Sequence, residues 1–174
     1  MEKREFDFYN MVDNVKKTHM PAINEKGLEF LVTVSDEVPH TLVGDELRIE
    51  QILNNILSNA VKFTPNGGAI SFVVREKASS SEDTAYFEFR IKDTGIGMSK
   101  EFQKNIFEAF TREKTSTVSG IQGTGLGMAI SKGILDMMGG TIEVRSEEGA
   151  GSEFSIRVPC RISHIAASAD QGEA

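Results

Sequence analysis

Four glycines lie in the segment GIQGTGLGMAISK at residues 120–132, which then becomes apolar. Such a cluster is typical of a loop that binds phosphate through backbone N–H groups at a helix start, where the helix dipole favours anions. A dinucleotide-binding fingerprint needs G-x-G-x-x-G directly after a strand, and a P-loop needs a lysine after its last glycine. Neither pattern fits. The segment therefore indicates either an anion site of another kind or a flexible hinge before a core helix.

A second candidate group is the segment DTGIG at residues 93–97, which follows a predicted strand. Asp and Gly are common in turns, so an ordinary turn is one interpretation. The more specific interpretation is recognition of an exocyclic amine, because an ionised Asp93 only accepts hydrogen bonds. Gly95 and Gly97 would let a flat ring approach the backbone. This combination suits the amino group of adenine.

The third group lies in a predicted helix over residues 46–63, where Asn55, Asn59 and Lys62 fall on one face. Asparagine is a poor former of helix interiors, which indicates a role beyond helix stability. An amide oxygen suits Mg²⁺ that bridges nucleotide phosphates, and Lys62 can neutralise phosphate as a point charge. The alternative is that the asparagines are solvent-exposed residues without a ligand.

Apolar periodicity and turn residues predict the elements that would position these groups. Helices are predicted over 8–23, 46–63 (with Asp45 as N-cap), 99–110 and 125–138, the last with Leu126, Ile130, Ile134, Leu135 and Met138 inward. Strands are predicted at 28–34, 69–75, 85–93, 140–146 and 152–159, and Pro39 and Gly44 bracket a predicted loop. Strands adjacent in sequence favour hairpins. The order therefore predicts an α+β fold with helices on one face of a mixed, mostly antiparallel sheet.

The composition fits one domain over residues 1–160, followed by a tail or linker over 161–174. The 174 residues carry a net charge of −7, which argues against a nucleic-acid-binding surface across the domain. The single Cys160 excludes an intrachain disulfide and a cysteine-rich zinc site. No apolar run approaches the roughly 18 residues of a membrane span. We expect a cytosolic domain that belongs to a longer protein.

Four segments together resemble the ATP-binding catalytic domain of sensor histidine kinases, within the superfamily of gyrase, heat-shock chaperones, histidine kinases and MutL. VGDELRIEQILNNILSNAVKFTPNGG resembles the N box, DTGIGM the G1 box, IFEAF the F box and GTGLGMAIS the G2 box. The boxes occur in the family order, and the similarity runs from about residue 6 to Pro159. It implies a two-layer α/β sandwich of the Bergerat type with a mobile ATP lid over roughly 111–122.

The resemblance implies that Asn59 coordinates Mg²⁺, with Asn55 one turn before it and Lys62 on phosphate. It places Asp93 on the adenine amino group. The other nucleotide-binding residues that it implies are Gly95 and Gly97 at the adenine, Phe107 and Phe110 at the base of the lid, Arg112 and Lys114 within the lid, Gly123, Thr124, Gly125, Leu126, Gly127 and Met128 in the G2 box, and Ser152 near the base.

One position bears on the reaction. The hydrolysing branches of the superfamily carry a glutamate where this sequence has Asn55, and an amide cannot accept a proton from water. The resemblance therefore implies transfer of the γ-phosphoryl to an imidazole nitrogen. His19, His40 and His164 lack the sequence context of a phosphoacceptor. We expect the acceptor histidine to lie on a separate dimerisation domain, absent from this chain.

The implied parent is a homodimeric two-component sensor kinase of the hybrid form, with a receiver domain downstream. The resemblance further implies a monomeric isolated domain in the cytoplasm, without nucleic-acid or direct membrane contact, whose parent can be anchored in the inner membrane. Two alternatives stay open at this point. One is a serine kinase of the anti-sigma-factor type, and the other is a nucleotide-binding regulatory module without catalysis.

Overall fold

Helices cover one face of a sheet in the computed structural model, which describes residues 2–77, 83–108 and 127–162. The strands described are β1 (Arg4–Asp7), β2 (Glu29–Val34), β3 (Thr41–Gly44), β4 (Ala69–Lys77), β5 (Thr84–Asp93), β6 (Thr141–Glu147) and β7 (Gly151–Ile162). The helices described are α1 (Phe8–Glu25), α2 (Glu46–Phe63), α3 (Lys100–Asn105) and α4 (Gly127–Met138). The predicted α+β fold is confirmed.

The strands form one mixed sheet in the order β1-β3-β7-β5-β4-β2, with β6 paired to β7. Only β2 and β4 pair in parallel among the described strands, and every other pairing is antiparallel. The long strand β7 pairs with β5 along one edge, and β6 and β3 share its other edge. In the central β5–β7 ladder Asp93 lies opposite Ser152.

Helix α2 lies at the centre of the helical layer, where it contacts α1, α4 and β5. Asp45 caps it as predicted, since its Oδ1 accepts a hydrogen bond from the Arg48 N–H at 3.3 Å. Its predicted apolar face is fully buried and comprises Ile49, Ile52, Leu53, Ile56, Leu57 and Ala60. Burial of such side chains contributes about 1.5–3 kcal/mol each, which holds α2 against the sheet.

Two strands were not predicted. The segment Arg4–Asp7 forms β1 before the first helix, and Thr41–Gly44 forms β3 where a loop was expected. The two strands pair with each other, with Phe6 opposite Leu42. Each has only four residues, so neither shows a local periodicity long enough to indicate a strand. Their pairing depends on contacts between segments that are distant in the sequence.

Two element boundaries and the orientation of one side chain also differ from expectation. Helix α3 ends at Asn105 rather than reaching residue 110, and β7 continues to Ile162, past the predicted domain end at residue 160. Ile130 was predicted to face inward, but it is 43% exposed. The buried face of α4 instead includes Met128 and Ser131. The polar Ser131 can be buried because its hydroxyl accepts a hydrogen bond from Asn55 on α2. Among the described residues, no helix is both long and apolar enough to cross a membrane.

Candidate functional site

The Asp93 carboxyl lies at the end of β5 and is only 5% exposed. Its Oδ1 accepts hydrogen bonds from the backbone N–H groups of Gly95 (2.9 Å) and Ser152 (3.2 Å). Burial raises the pKa of Asp93 above the ordinary value, and the two N–H groups act in the opposite direction. The result is a fixed carboxyl whose Oδ2 accepts no hydrogen bond from another described residue.

Gly95 and Gly97 bring the loop after β5 against neighbouring backbone. A Cβ on Gly95 would lie 2.5 Å from the Phe63 carbonyl oxygen, and one on Gly97 would lie 1.9 Å from that of Glu147. Gly97 also has φ of +70°, a conformation that favours glycine. The Ile96 N–H donates to the Phe63 carbonyl at 3.2 Å, so this loop is joined directly to the end of α2.

A layer of hydroxyl and amide groups lies behind this loop, and of its members only Ser152 was predicted. The Ser146 hydroxyl lies 2.8 Å from that of Ser152 and accepts from the Met98 N–H at 2.8 Å. The Gln103 side-chain amide donates to the carbonyls of Ser146 (2.9 Å) and Met98 (3.1 Å). Met98 and Gln103 are far in sequence from Ser146 and Ser152, so no local pattern could have shown that the two segments meet. We call Asp93, Gly95, Gly97, Ser146 and Ser152 the sheet-end cluster.

The three neighbouring asparagines of α2 point to different partners. Asn54 contacts α1, where its Oδ1 lies 3.0 Å from His19 Nε2. Asn55 contacts α4, donating from Nδ2 to the Ser131 hydroxyl (3.2 Å) and, more weakly, to the Gly127 carbonyl (3.4 Å). Asn59 is half-buried, and its side chain makes no hydrogen bond to another described residue. Only Asn59 thus keeps its whole amide available for a ligand.

Lys62 lies in the last turn of α2 and is exposed. Gly127 begins the described part of α4 and lies close to Asn55 on α2. A Cβ atom on Gly127 would lie 3.9 Å from Asn55 Cγ. We call Asn55, Asn59, Lys62 and Gly127 the helix cluster. Helix α2 links the two clusters, since it carries Asn55, Asn59 and Lys62 and ends at Phe63 beside Gly95.

The remaining predicted site residues fall into two groups. Met128 is buried and Phe107 is partly buried against the core. The others lie outside the described residues and stay predictions: Phe110, Arg112, Lys114, Gly123, Thr124, Gly125 and Leu126. Within the part of the chain that the structure describes, no group of three or more His, Cys, Asp or Glu residues could hold a metal ion.

Fold and site together define an ATPase domain of the histidine kinase type. The chain belongs to the family described as "Histidine kinase-, DNA gyrase B-, and HSP90-like ATPase", whose model matches residues 44–162. Hybrid signal transduction histidine kinase B of Dictyostelium discoideum is 39% identical over 161 residues, covering 92% of this chain and 8% of that protein. Sensor histidine kinase RcsC of Escherichia coli (strain K12) is 35% identical over 159 residues, covering 91% and 16%.

Solved structures agree with this assignment. Full-length ShkA in complex with AMPPNP has a TM-score of 0.77 at 32% identity, with 94% of this chain and 32% of that chain covered. The catalytic domain of the histidine kinase ThkA has a TM-score of 0.75 at 26% identity, with 91% and 96% covered. This chain thus matches nearly all of an isolated catalytic domain but less than a fifth of the two curated relatives.

Proposed function

We propose that this chain binds ATP with Mg²⁺ and transfers the γ-phosphoryl group to a histidine of a separate dimerisation domain. The observation that carries the proposal is the buried Asp93 carboxyl, fixed through Oδ1 and available through Oδ2. Membership of the ATPase family and the histidine kinase names of the relatives support it.

Asp93 recognises the adenine in this proposal. Oδ1 already accepts hydrogen bonds from two backbone N–H groups. Oδ2 is therefore the oxygen that accepts a hydrogen bond from the exocyclic amine of adenine. Gly95 keeps a side chain out of the space beside the carboxyl, and Gly97 lets the loop lie directly against the Glu147 backbone. The Ser152 hydroxyl is held by Ser146, so Ser152 acts here mainly through its backbone N–H and by orienting the loop.

Asn59 and Lys62 serve the phosphates. The Asn59 amide is half-buried without a described partner, which fits a neutral oxygen ligand for Mg²⁺. The metal, when bound, supplies positive charge that neutralises the phosphate oxygens. Lys62 adds a second positive charge at the end of α2, and Gly127 and Met128 face the phosphates from the start of α4. In a chain of net charge −7 these local charges are required to hold a polyanion.

Asn55 positions α4 and leaves hydrolysis without a base. Its Nδ2 is used on Ser131 and Gly127, so the amide ties the two helices together. An amide oxygen cannot take a proton from water at neutral pH, whereas a carboxylate at this place could. Phosphoryl transfer to an imidazole needs positioning and charge stabilisation more than it needs a base.

The finer assignments concern the parent protein. We propose a homodimeric hybrid sensor kinase that supplies the acceptor histidine on its dimerisation domain and passes the phosphoryl group to a receiver domain. The chain spans 8% of hybrid signal transduction histidine kinase B of Dictyostelium discoideum and 16% of RcsC, which leaves room for such domains in a parent of comparable length. We further propose that the domain works in the cytoplasm.

The test is incubation of the chain with labelled ATP, Mg²⁺ and a panel of separately produced dimerisation domains. We expect label on histidine, which is labile to acid and stable to base. Label that appears on serine, or nucleotide binding without transfer to any acceptor domain, would contradict the proposed reaction. An acceptor domain with its histidine replaced by glutamine is the matched control and should remain unlabelled.

A further inference from the structure

The face of the sheet opposite the helices carries a cluster of positive charge. Side chains alternate along β5, so that Phe87, Phe89 and Ile91 face the helices whereas Glu88 and Arg90 face the other side. The face is therefore separate from the sheet-end and helix clusters, and a partner bound there would not compete with a nucleotide for the same groups.

Glu88 is the centre of this cluster and is only 1% exposed. Its carboxylate lies 2.9 Å from Arg90 Nε, 3.2 Å from Arg157 Nε and 3.8 Å from Lys77 Nζ. The three cations cover it, yet their own side chains remain 39–52% exposed. Arg157 donates a hydrogen bond to the carboxylate through Nε, and attraction to the buried charge keeps Arg90 and Lys77 beside it.

A fourth cation completes the cluster. Arg75 lies directly opposite Glu88 in the β4–β5 ladder, is exposed, and forms no ion pair with another described residue. Three cations thus pair with one carboxylate and a fourth lies on the neighbouring strand, so the surface keeps a net positive charge although the whole chain carries −7. We call this surface the basic face and include Tyr86, which lies opposite Lys77 and is 37% exposed.

The composition of the basic face is that of a protein interface. Arginine and tyrosine are enriched at interface hot spots, and an arginine has five N–H donors. Arg157 donates Nε–H to Glu88, whereas Arg90 Nε lies 2.9 Å from the carboxylate as an ion pair without a hydrogen bond. The other N–H groups are free to bind carboxylates in pairs. Extended polyanions such as DNA or an anionic membrane would also meet the negative charge of the rest of the chain.

We propose that the basic face docks an acidic surface patch of a partner protein, centred on carboxylates that pair with Arg75, Arg90 and Arg157. The complementary charge identifies the partner's chemistry. The buried Glu88 keeps Arg90 and Arg157 in place before binding, which lowers the ordering cost of association. Docking at this face leaves the nucleotide site accessible.

The experiment is a titration of the isotope-labelled chain with an oligoglutamate peptide, followed by nuclear magnetic resonance. We expect shifts at the backbone amides of Arg75, Glu88 and Arg157, weakened by salt, and little response to oligoglutamine of the same length. Arg75→Glu should weaken binding about five-fold, because it removes one exposed ion pair and adds a repulsion.

Lys16→Glu is the matched control, since it makes the same charge change at an exposed site on α1. Its binding should stay within about two-fold of the unchanged chain, because the site lies on the other layer. Equal weakening by both substitutions, shifts outside the basic face, or stronger binding to a DNA duplex or to phosphatidylglycerol vesicles would overturn the proposal. ATP binding serves as an independent readout and should be unchanged in both variants.

Discussion

The sheet-end cluster and the helix cluster are built by different means. In the sheet-end cluster a buried carboxyl and two glycines are held by backbone groups of β6, β7 and α2. In the helix cluster half-buried or exposed side chains of α2 face the start of α4, and Asn55 alone joins the two helices among the described residues of that cluster. Changes in the first cluster should therefore damage structure and binding together, whereas changes in the second should alter charge and chemistry with the fold intact.

The largest effect is expected from Gly97→Ala. Its Cβ would lie 1.9 Å from the Glu147 carbonyl oxygen at a φ of +70°, so the loop cannot keep its place against β6. We expect the free energy of unfolding to fall by about 3 kcal/mol, more than the roughly 1 kcal/mol that a positive φ alone costs. Chemical denaturation measures this loss.

Gly149→Ala is the control for Gly97→Ala, because Gly149 has φ of +80° but open space around its Cβ position. It should lose only the cost of the backbone conformation. If both variants lose the same stability, the close approach of Gly97 to Glu147 is not what holds the loop.

Asp93→Asn should weaken ATP binding about 10- to 100-fold, the value of a hydrogen bond to a charged group of about 1.5–3 kcal/mol. The new amide can still accept from Gly95 and Ser152 through its oxygen, so the fold should persist. The nitrogen of the new amide then faces the adenine amine, and no hydrogen bond forms because both groups are donors. Calorimetric titration checks the affinity. Asp136→Asn is the control, because it makes the same change at an exposed position of α4, and it should bind ATP as tightly as the unchanged chain.

The raised pKa of Asp93 predicts two opposite pH trends. Between the unfolded and folded pKa values the folded state binds more protons, so the free energy of unfolding decreases as pH rises through that window and is then constant. ATP affinity should increase over the same window, because only the ionised carboxyl has Oδ2 free to accept. Both trends should vanish in Asp93→Asn. Parallel trends of stability and affinity would contradict this assignment.

Much of the sheet-end and helix clusters was readable from sequence, because a helix fixes which side chains share a face and an Asp-Gly segment after a strand marks a turn. Asn55, Asn59 and Lys62 could be grouped from their spacing alone. The supporting groups could not. Ser146 meets Met98 and Gln103 only through the packing of α3 and β6, and nothing in the sequence pattern of α4 indicated that Ser131 is fully buried against Asn55.

Asn55→Glu tests the chemistry of the helix cluster. We expect faster ATP hydrolysis and slower transfer, because a carboxylate can take a proton from water. The change also removes the donor to Ser131 and Gly127, which should lower stability by about 1 kcal/mol. Ser131→Ala separates the two effects, since it removes the same contact without adding a base. A similar rise in hydrolysis in Ser131→Ala would assign the effect to loosened helices.

The smallest effect is expected from Lys62→Met, and it separates the two clusters most cleanly. Lys62 is exposed at the end of α2, so its attraction to phosphate is screened and its loss should weaken ATP binding only about two- to five-fold. Adenosine has no phosphate and should bind Lys62→Met as it binds the unchanged chain, whereas Asp93→Asn should weaken both ligands. Competition binding with ATP and adenosine measures this difference. If Lys62→Met weakens the binding of adenosine as much as the binding of ATP, the two clusters do not recognise base and phosphate separately.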